Sequence, residues 1–170
     1  MVDFSGLPDV IKLESHHLRH EFNGADEIAG ISDLAVATAQ FDKSDTALAT
    51  VTGLSITLAA SSTYRLEADL FVNADATGGH KYALDGTVTV EGIKYEIESV
   101  NNLTSQLILA ERLTALAGTA GQAGATQAHT KIIGVIASSA SGTINVQFAQ
   151  QEVSGTSSVL TYSSFKAEKM

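Results

Sequence analysis

Residues 63–70, TYRLEADL, set Tyr64, Leu66, Ala68 and Leu70 on one side of an extended chain and Arg65, Glu67 and Asp69 on the other. Successive side chains of a strand point to opposite faces, so this run predicts a strand with one face in a core and one in water. The pattern repeats on both sides. Leu54, Ile56 and Leu58 alternate with Ser55 and Thr57, and Val88 and Val90 with Thr87 and Thr89. Ile93, Tyr95 and Ile97 alternate with Lys94, Glu96 and Glu98, and Ile144, Val146 and Phe148 with Thr143, Asn145 and Gln147. Turn chemistry punctuates these runs at Thr77-Gly78-Gly79, Asp85-Gly86, Glu91-Gly92, Asn101-Asn102, Ser141-Gly142 and Ser154-Gly155. Many short strands with little helix between them predict an all-β fold, a sandwich or jelly roll. Residues 103–117 fit two readings. Leu103, Leu107, Ala110, Leu113 and Ala117 keep a helical spacing, while Leu107 and Leu109 fit one strand face. Strand is favoured, because a helix there leaves the sheet short of a partner.

Charge divides the chain differently. Of the net −9 over 170 residues, the first 45 carry nine acids against three bases, a balance of −6. Their apolar residues hold no sustained period, so residues 1–45 read as an extended N-terminal arm and residues 46–170 as the β body. The acidity argues against nucleic acid or an anionic membrane as partner, since both need a basic footprint. The absence of Cys excludes a disulfide framework, a thiolate zinc site and an iron–sulfur cluster. No stretch approaches the roughly 20 apolar residues of a spanning helix, and the first 30 residues carry no secretory apolar run.

Constellations with chemical potential are few. His16, His17 and His20 form H-H-x-x-H but lack the Glu of a zincin, so a place on a trimer axis, arm docking or plain solvation is favoured over metal. Asn73-Ala-Asp75-Ala-Thr77-Gly78 imitates a calcium loop, yet its twelfth position is Leu84, and a hairpin turn is the better reading. Gly118, Gly121 and Gly124 lack the following helix and Lys of a phosphate loop. Glu67 with Asp69, and Glu96 with Glu98, share strand faces with Arg65 and Lys94 and read as solvated. His80 and His129 show no partner in the sequence. The expectation is a protein without catalytic residues, metal or cofactor.

Three segments in order resemble a module of tailed-phage virion proteins: residues 63–89, TYRLEADLFVNADATGGHKYALDGTVT; residues 114–126, TALAGTAGQAGAT; and GTINVQFAQ…SSVLTYSSFKAEK within 142–169. Upstream, HHLRHEFNGADEIAGISDL (16–34) is similar to a short element of phage fibre and head-appendage proteins, with Asn23 and Ile31 where that element has Gly and Leu. The resemblance implies a tumour-necrosis-factor-like jelly-roll β-sandwich that assembles as a homotrimer. It also implies a place on the outer surface of a virion made in the host cytoplasm, with the major capsid protein as partner. On this reading the protein is a capsid decoration (cement) protein; a receptor- or glycan-binding head or tail spike or fibre is the alternative, with Tyr82, Tyr162 and Phe71 as its aromatic candidates. Arm docking falls to His16, His17, His20, Phe22, Asp26, Glu27 and Ile28, and trimer contact to Tyr64, Tyr95, Phe148 and Phe165.

Overall fold

The computed structural model describes residues 32–101, 104–124 and 127–170, and twelve strands without a helix account for their regular structure. In chain order these are β1 (Ser32–Val36), β2 (Phe41–Lys43), β3 (Ala49–Leu58), β4 (Ser62–Asn73), β5 (His80–Gly86) and β6 (Thr89–Asn101). They continue with β7 (Leu107–Leu113), β8 (Ala120–Gln122), β9 (Gln127–Ala140), β10 (Gly142–Ala149), β11 (Ser157–Val159) and β12 (Ser164–Lys169). All pairings are antiparallel.

The larger sheet runs β1-β12-β4-β9-β6-β7, with β11 and β2 joined at the end of β4; the smaller runs β3-β10-β5-β8. Number β1, β3, β4, β5, β8, β9, β10 and β12 as first to eighth. One sheet then reads first–eighth–third–sixth and the other second–seventh–fourth–fifth, the strand order of a jelly roll. The hairpin of β6 and β7 is inserted between the fourth and fifth strands and widens the larger sheet beyond β9.

The inward side chains fill the space between the sheets. Leu54, Ile56 and Leu58 of β3, Leu66, Ala68 and Leu70 of β4, and Ile144, Val146 and Phe148 of β10 are all buried. Leu107–Leu113 is a strand, so the ambiguous segment follows its sheet partner rather than its helical spacing. Gly134 of β9 makes room for a ring: a Cβ there would lie 2.5 Å from the Cβ of Tyr95 on the paired strand.

Three expectations need correction. The sheet takes up Ser32–Val36 and Phe41–Lys43, which fall within the arm expected over residues 1–45: β1 pairs with β12 and β2 with β11. Strands of five and three residues are too short to show a period against their neighbours, and the partner strand orders them. Glu91-Gly92 is no turn; β6 runs through it with a bulge between Val90 and Gly92. Finally, Tyr64, Tyr95, Phe148 and Phe165 are buried inside one chain and are unavailable as trimer contacts. The alternation that makes these strands aromatic on one face points that face at the opposite sheet.

A polar thread crosses the apolar interior. Thr130 Oγ1 of β9 lies 2.8 Å from Tyr82 Oη of β5 and also bonds Ser99 Oγ of β6, which ties the two sheets together. Beside it, His80 is fully buried against the Tyr82 ring, with centroids 5.2 Å apart, and neither ring nitrogen has a hydrogen-bond partner among the described residues. Desolvation pushes its pKa down from 6.5 to about 4. Unfolded chain therefore takes up this proton near pH 6.5, while folded chain resists until about pH 4. The stabilisation is complete above pH 6.5 and is lost on acidification through this window, by about 3 kcal/mol. Urea unfolding at pH 7, 5.5 and 4 should show that loss in the natural chain and a clearly flatter profile in His80→Leu. An equal slope in both would contradict the assignment.

Candidate functional site

Two surface features stand out, both on the outward face of the larger sheet. The first is its centre. Strand alternation points Arg65, Glu67 and Asp69 of β4, Lys94, Glu96 and Glu98 of β6, Arg112 of β7, Lys131 of β9, and Lys166 and Glu168 of β12 outward together. That makes five cations and five anions, a balanced face on a chain of net charge −9. Several are paired: Arg112 Nε lies 3.3 Å from Glu96 Oε2 and Lys166 Nζ 3.2 Å from Glu168 Oε2. Within this lattice of charge, Ile133 and Val135 of the central strand β9 are 42% and 43% exposed, and Leu34 and Val36 of β1 are exposed at the rim.

The second feature is a cleft of about 500 Å³ at the end of β4 and β9. Phe71, Asn73 and Gln127 form part of its floor, and Thr161 and Tyr162 form its wall. Asn73 and Gln127 are direct partners across the β4–β9 ladder, and Phe71 pairs with His129 one step further on. The Phe71 and His129 rings stack at 5.1 Å and 11°, and His129 Nε2 lies 3.0 Å from Asp69 Oδ1, which also meets Lys131 Nζ at 3.5 Å. The stack and the His129–Asp69 hydrogen bond behind it fix Phe71, which is still 42% exposed.

The wall is a tight turn, Leu160-Thr161-Tyr162-Ser163. Ser163 N–H reaches the Leu160 carbonyl at 3.4 Å, Leu160 N–H donates to the Phe71 carbonyl at 2.8 Å, and Tyr162 N–H donates to the Ala37 carbonyl at 2.9 Å. Ser163 Oγ accepts from Phe71 N–H at 3.0 Å. The turn forces Tyr162 to φ 65°, a left-handed conformation that Gly or Asn fills at the third position of such turns. A tyrosine there costs roughly 1–2 kcal/mol. Its ring is 80% exposed, so buried contacts do not offset the strain.

The other sequence candidates fall into place around these features. His16, His17, His20, Phe22, Asp26, Glu27 and Ile28 lie outside the described residues. Tyr82 is buried, so of the three aromatic candidates only Phe71 and Tyr162 reach a common surface. Tyr64 Oη accepts from Ala59 N–H at 2.9 Å, and Tyr95 Oη donates to the Gly118 and Ala115 carbonyls at 3.0 and 3.3 Å, so both hydroxyls serve the fold. Asp75 caps its own turn: Oδ1 accepts from Gly78 N–H at 2.7 Å and Thr77 N–H at 3.0 Å, which holds its carboxyl below the ordinary range. Gly79, at φ 61°, supplies the left-handed residue of that hairpin. Gly121 lies against the β5 backbone, where an added Cβ would meet the His80 carbonyl at 3.0 Å. Among the described residues no group of three or more His, Asp or Glu is placed to hold a metal ion.

Sequence reading missed Gln127, Thr161, Ile133 and Val135, and met Asn73 only as the start of the hairpin turn. The doublets Ile132-Ile133 and Val135-Ile136 carried a usable signal, since a strand buried on one face needs only alternate apolar residues.

No family model and no curated protein matches the chain. Among solved structures, the Eiger TNF from S. frugiperda aligns at 13% identity and TM-score 0.41, over 84% of this chain and 94% of that one. A CocE/NonD family hydrolase from Staphylococcus aureus aligns at 7% identity and TM-score 0.35, over 83% of this chain and 37% of that one. The VP2 subviral particle of infectious bursal disease virus aligns at 12% identity and TM-score 0.25, over 82% and 41%. This chain thus spans well under half of the hydrolase and of VP2. At these identities and TM-scores the likenesses carry no function across.

The strain at Tyr162 is measurable. Tyr162→Gly should leave the fold intact and raise its unfolding free energy by up to about 1 kcal/mol, because relief of the left-handed conformation outweighs the added freedom of the unfolded chain. Urea unfolding checks this, and a clear loss of stability would show that the ring packs in the native state.

Proposed function

We propose that the chain is a structural protein of a tailed-phage virion, a decoration (cement) protein that binds the outer shell of the head as a homotrimer and stabilises it. The observation that carries this reading is the outward face of the larger sheet. The ten charges on β4, β6, β7, β9 and β12 cancel, leaving Asp42 of β2 as one further anion at the far end, while the chain as a whole is strongly acidic. A face of balanced charge meets a second copy without the repulsion the rest of the surface would impose. Ile133 and Val135 supply apolar area at its centre, and Leu34 and Val36 extend it at the β1 edge. These residues take the trimer-contact role that Tyr64, Tyr95, Phe148 and Phe165 cannot fill.

In this mechanism the jelly-roll body works as a rigid cap and the acidic segment before β1 reaches the major capsid protein. A shell held by such bridges resists internal pressure, because separating two capsid subunits must also break the bridging contacts. The work needs no cofactor, nucleic acid or membrane. The alternative, a receptor- or glycan-binding spike or fibre, gains support from the cleft at Phe71 and Tyr162.

Light scattering at micromolar concentration should give three times the chain mass of 17.7 kDa. The double variant Ile133→Glu, Val135→Glu should run as a folded monomer, because both side chains are already partly exposed and their loss leaves the core intact. A monomeric natural chain, or a variant that stays trimeric, would contradict the assigned face. Copy number separates head from spike: decoration requires an abundance in virions comparable with the major capsid protein, whereas a few copies per particle point to a spike.

A further inference from the structure

From the cleft beside β4 we infer a binding site for a neutral saccharide, in which Phe71 and Tyr162 are the stacking platforms and Asn73, Gln127 and Thr161 bind hydroxyl groups. The site stands on its own geometry and holds whether the chain sits on a head or a spike.

Four observations lead there. Tyr162 occupies a turn position suited to glycine, at φ 65°, with its ring 80% exposed. Strain and exposure of a large ring both work against folding, and residues held this way cluster where a ligand is clamped. The turn that carries it is pinned by bonds to Phe71 on one side and Ala37 on the other, so the ring stands on a fixed base. Phe71 is held from behind by its stack on His129, whose ring is in turn fixed by Asp69. Two preorganised aromatics therefore line one concavity of about 500 Å³, a size that suits one or two sugar rings.

The polar groups decide the ligand class. A pyranose offers an apolar C–H face for stacking and a rim of hydroxyls that both donate and accept. Carboxamides match that rim because each presents an acceptor oxygen and a donor nitrogen side by side. Asn73 and Gln127 place two of them as neighbours across the ladder, and Thr161 lines the cleft from the turn. No charged side chain lines the cleft. Asp69, His129 and Lys131 lie nearby but engage one another. This pattern excludes a requirement for sialic or uronic acids, and it differs from the charge lattice and aliphatic centre of the face assigned to a second copy.

The full chain is applied to an array of neutral hexose and N-acetylhexosamine oligosaccharides, and hits are measured by titration calorimetry. Binding of a neutral saccharide is expected, weakened about tenfold or more by Tyr162→Gly and by Asn73→Ala. Tyr162→Gly should bind less without melting earlier, a combination that a structural role for the ring would not produce. The proposal is overturned if no neutral saccharide binds at concentrations up to about 10 mM, if only acidic glycans bind, or if Tyr162→Gly binds as well as the natural chain. A fall in oligomer mass for Tyr162→Gly without saccharide binding would assign the cleft to a second copy and also overturn it.

Discussion

The twelve consecutive pairs between β4 and β9, from Ser62 with Ser138 to Asn73 with Gln127, decide which side of the larger sheet meets the smaller sheet and which meets water. A slip of one residue would turn Leu66 and Leu70 outward and carry Glu67 and Asp69 into the core, at a cost no surface contact could offset. The interior enforces the same register from the other side, because Thr130 reaches Tyr82 and Ser99 only when β9 sits where it does. With that register set, the outward face follows: Asp69 beside Lys131, Glu67 beside Ile133, Arg65 beside Val135, and Phe71 beside His129.

One ladder thus produces two surfaces of different character. Toward its middle the rows alternate charge with aliphatic side chains and sum to no net charge, a composition fit for a copy of the same chain. Toward the end carrying Asn73 and Gln127 the charges thin out to Asp42 of β2, which is engaged by Ser158, and amides, an aromatic ring and a strained turn enclose a cleft. The separation matters for the proposed roles: burial of the first surface in an assembly is compatible with an open second one.

Much of this was legible in the residues. The alternation of 64–70, 93–97 and 144–148 gave the strands and their inward faces, because a half-buried strand writes its environment into every second residue. The short strands β1 and β2 were not legible, since five and three residues carry too little pattern and their order comes from β12 and β11. Aromatic faces were misplaced for a physical reason. Tyr64, Tyr95, Phe148 and Phe165 lie on the side that alternation buries, and periodicity does not say whether a buried face meets the chain's own second sheet or another subunit. Tyr162 was legible as an aromatic in a polar stretch but not as a strained one, because its left-handed backbone is imposed by bonds to Phe71 and Ala37, more than 90 residues upstream. The cleft likewise joins residues 71, 73, 127 and 162, which only the strand order brings together.

The absence of cysteine from the chain allows a direct test of which surface is covered. Single variants Val135→Cys and Tyr162→Cys can be labelled with a small thiol reagent, with the oligomeric mass of each confirmed beforehand. The account predicts that Cys at position 135 is shielded in the trimer and becomes reactive on dilution to monomer, while Cys at position 162 reacts freely in both states. Equal, unhindered labelling of both positions in a confirmed trimer would contradict it.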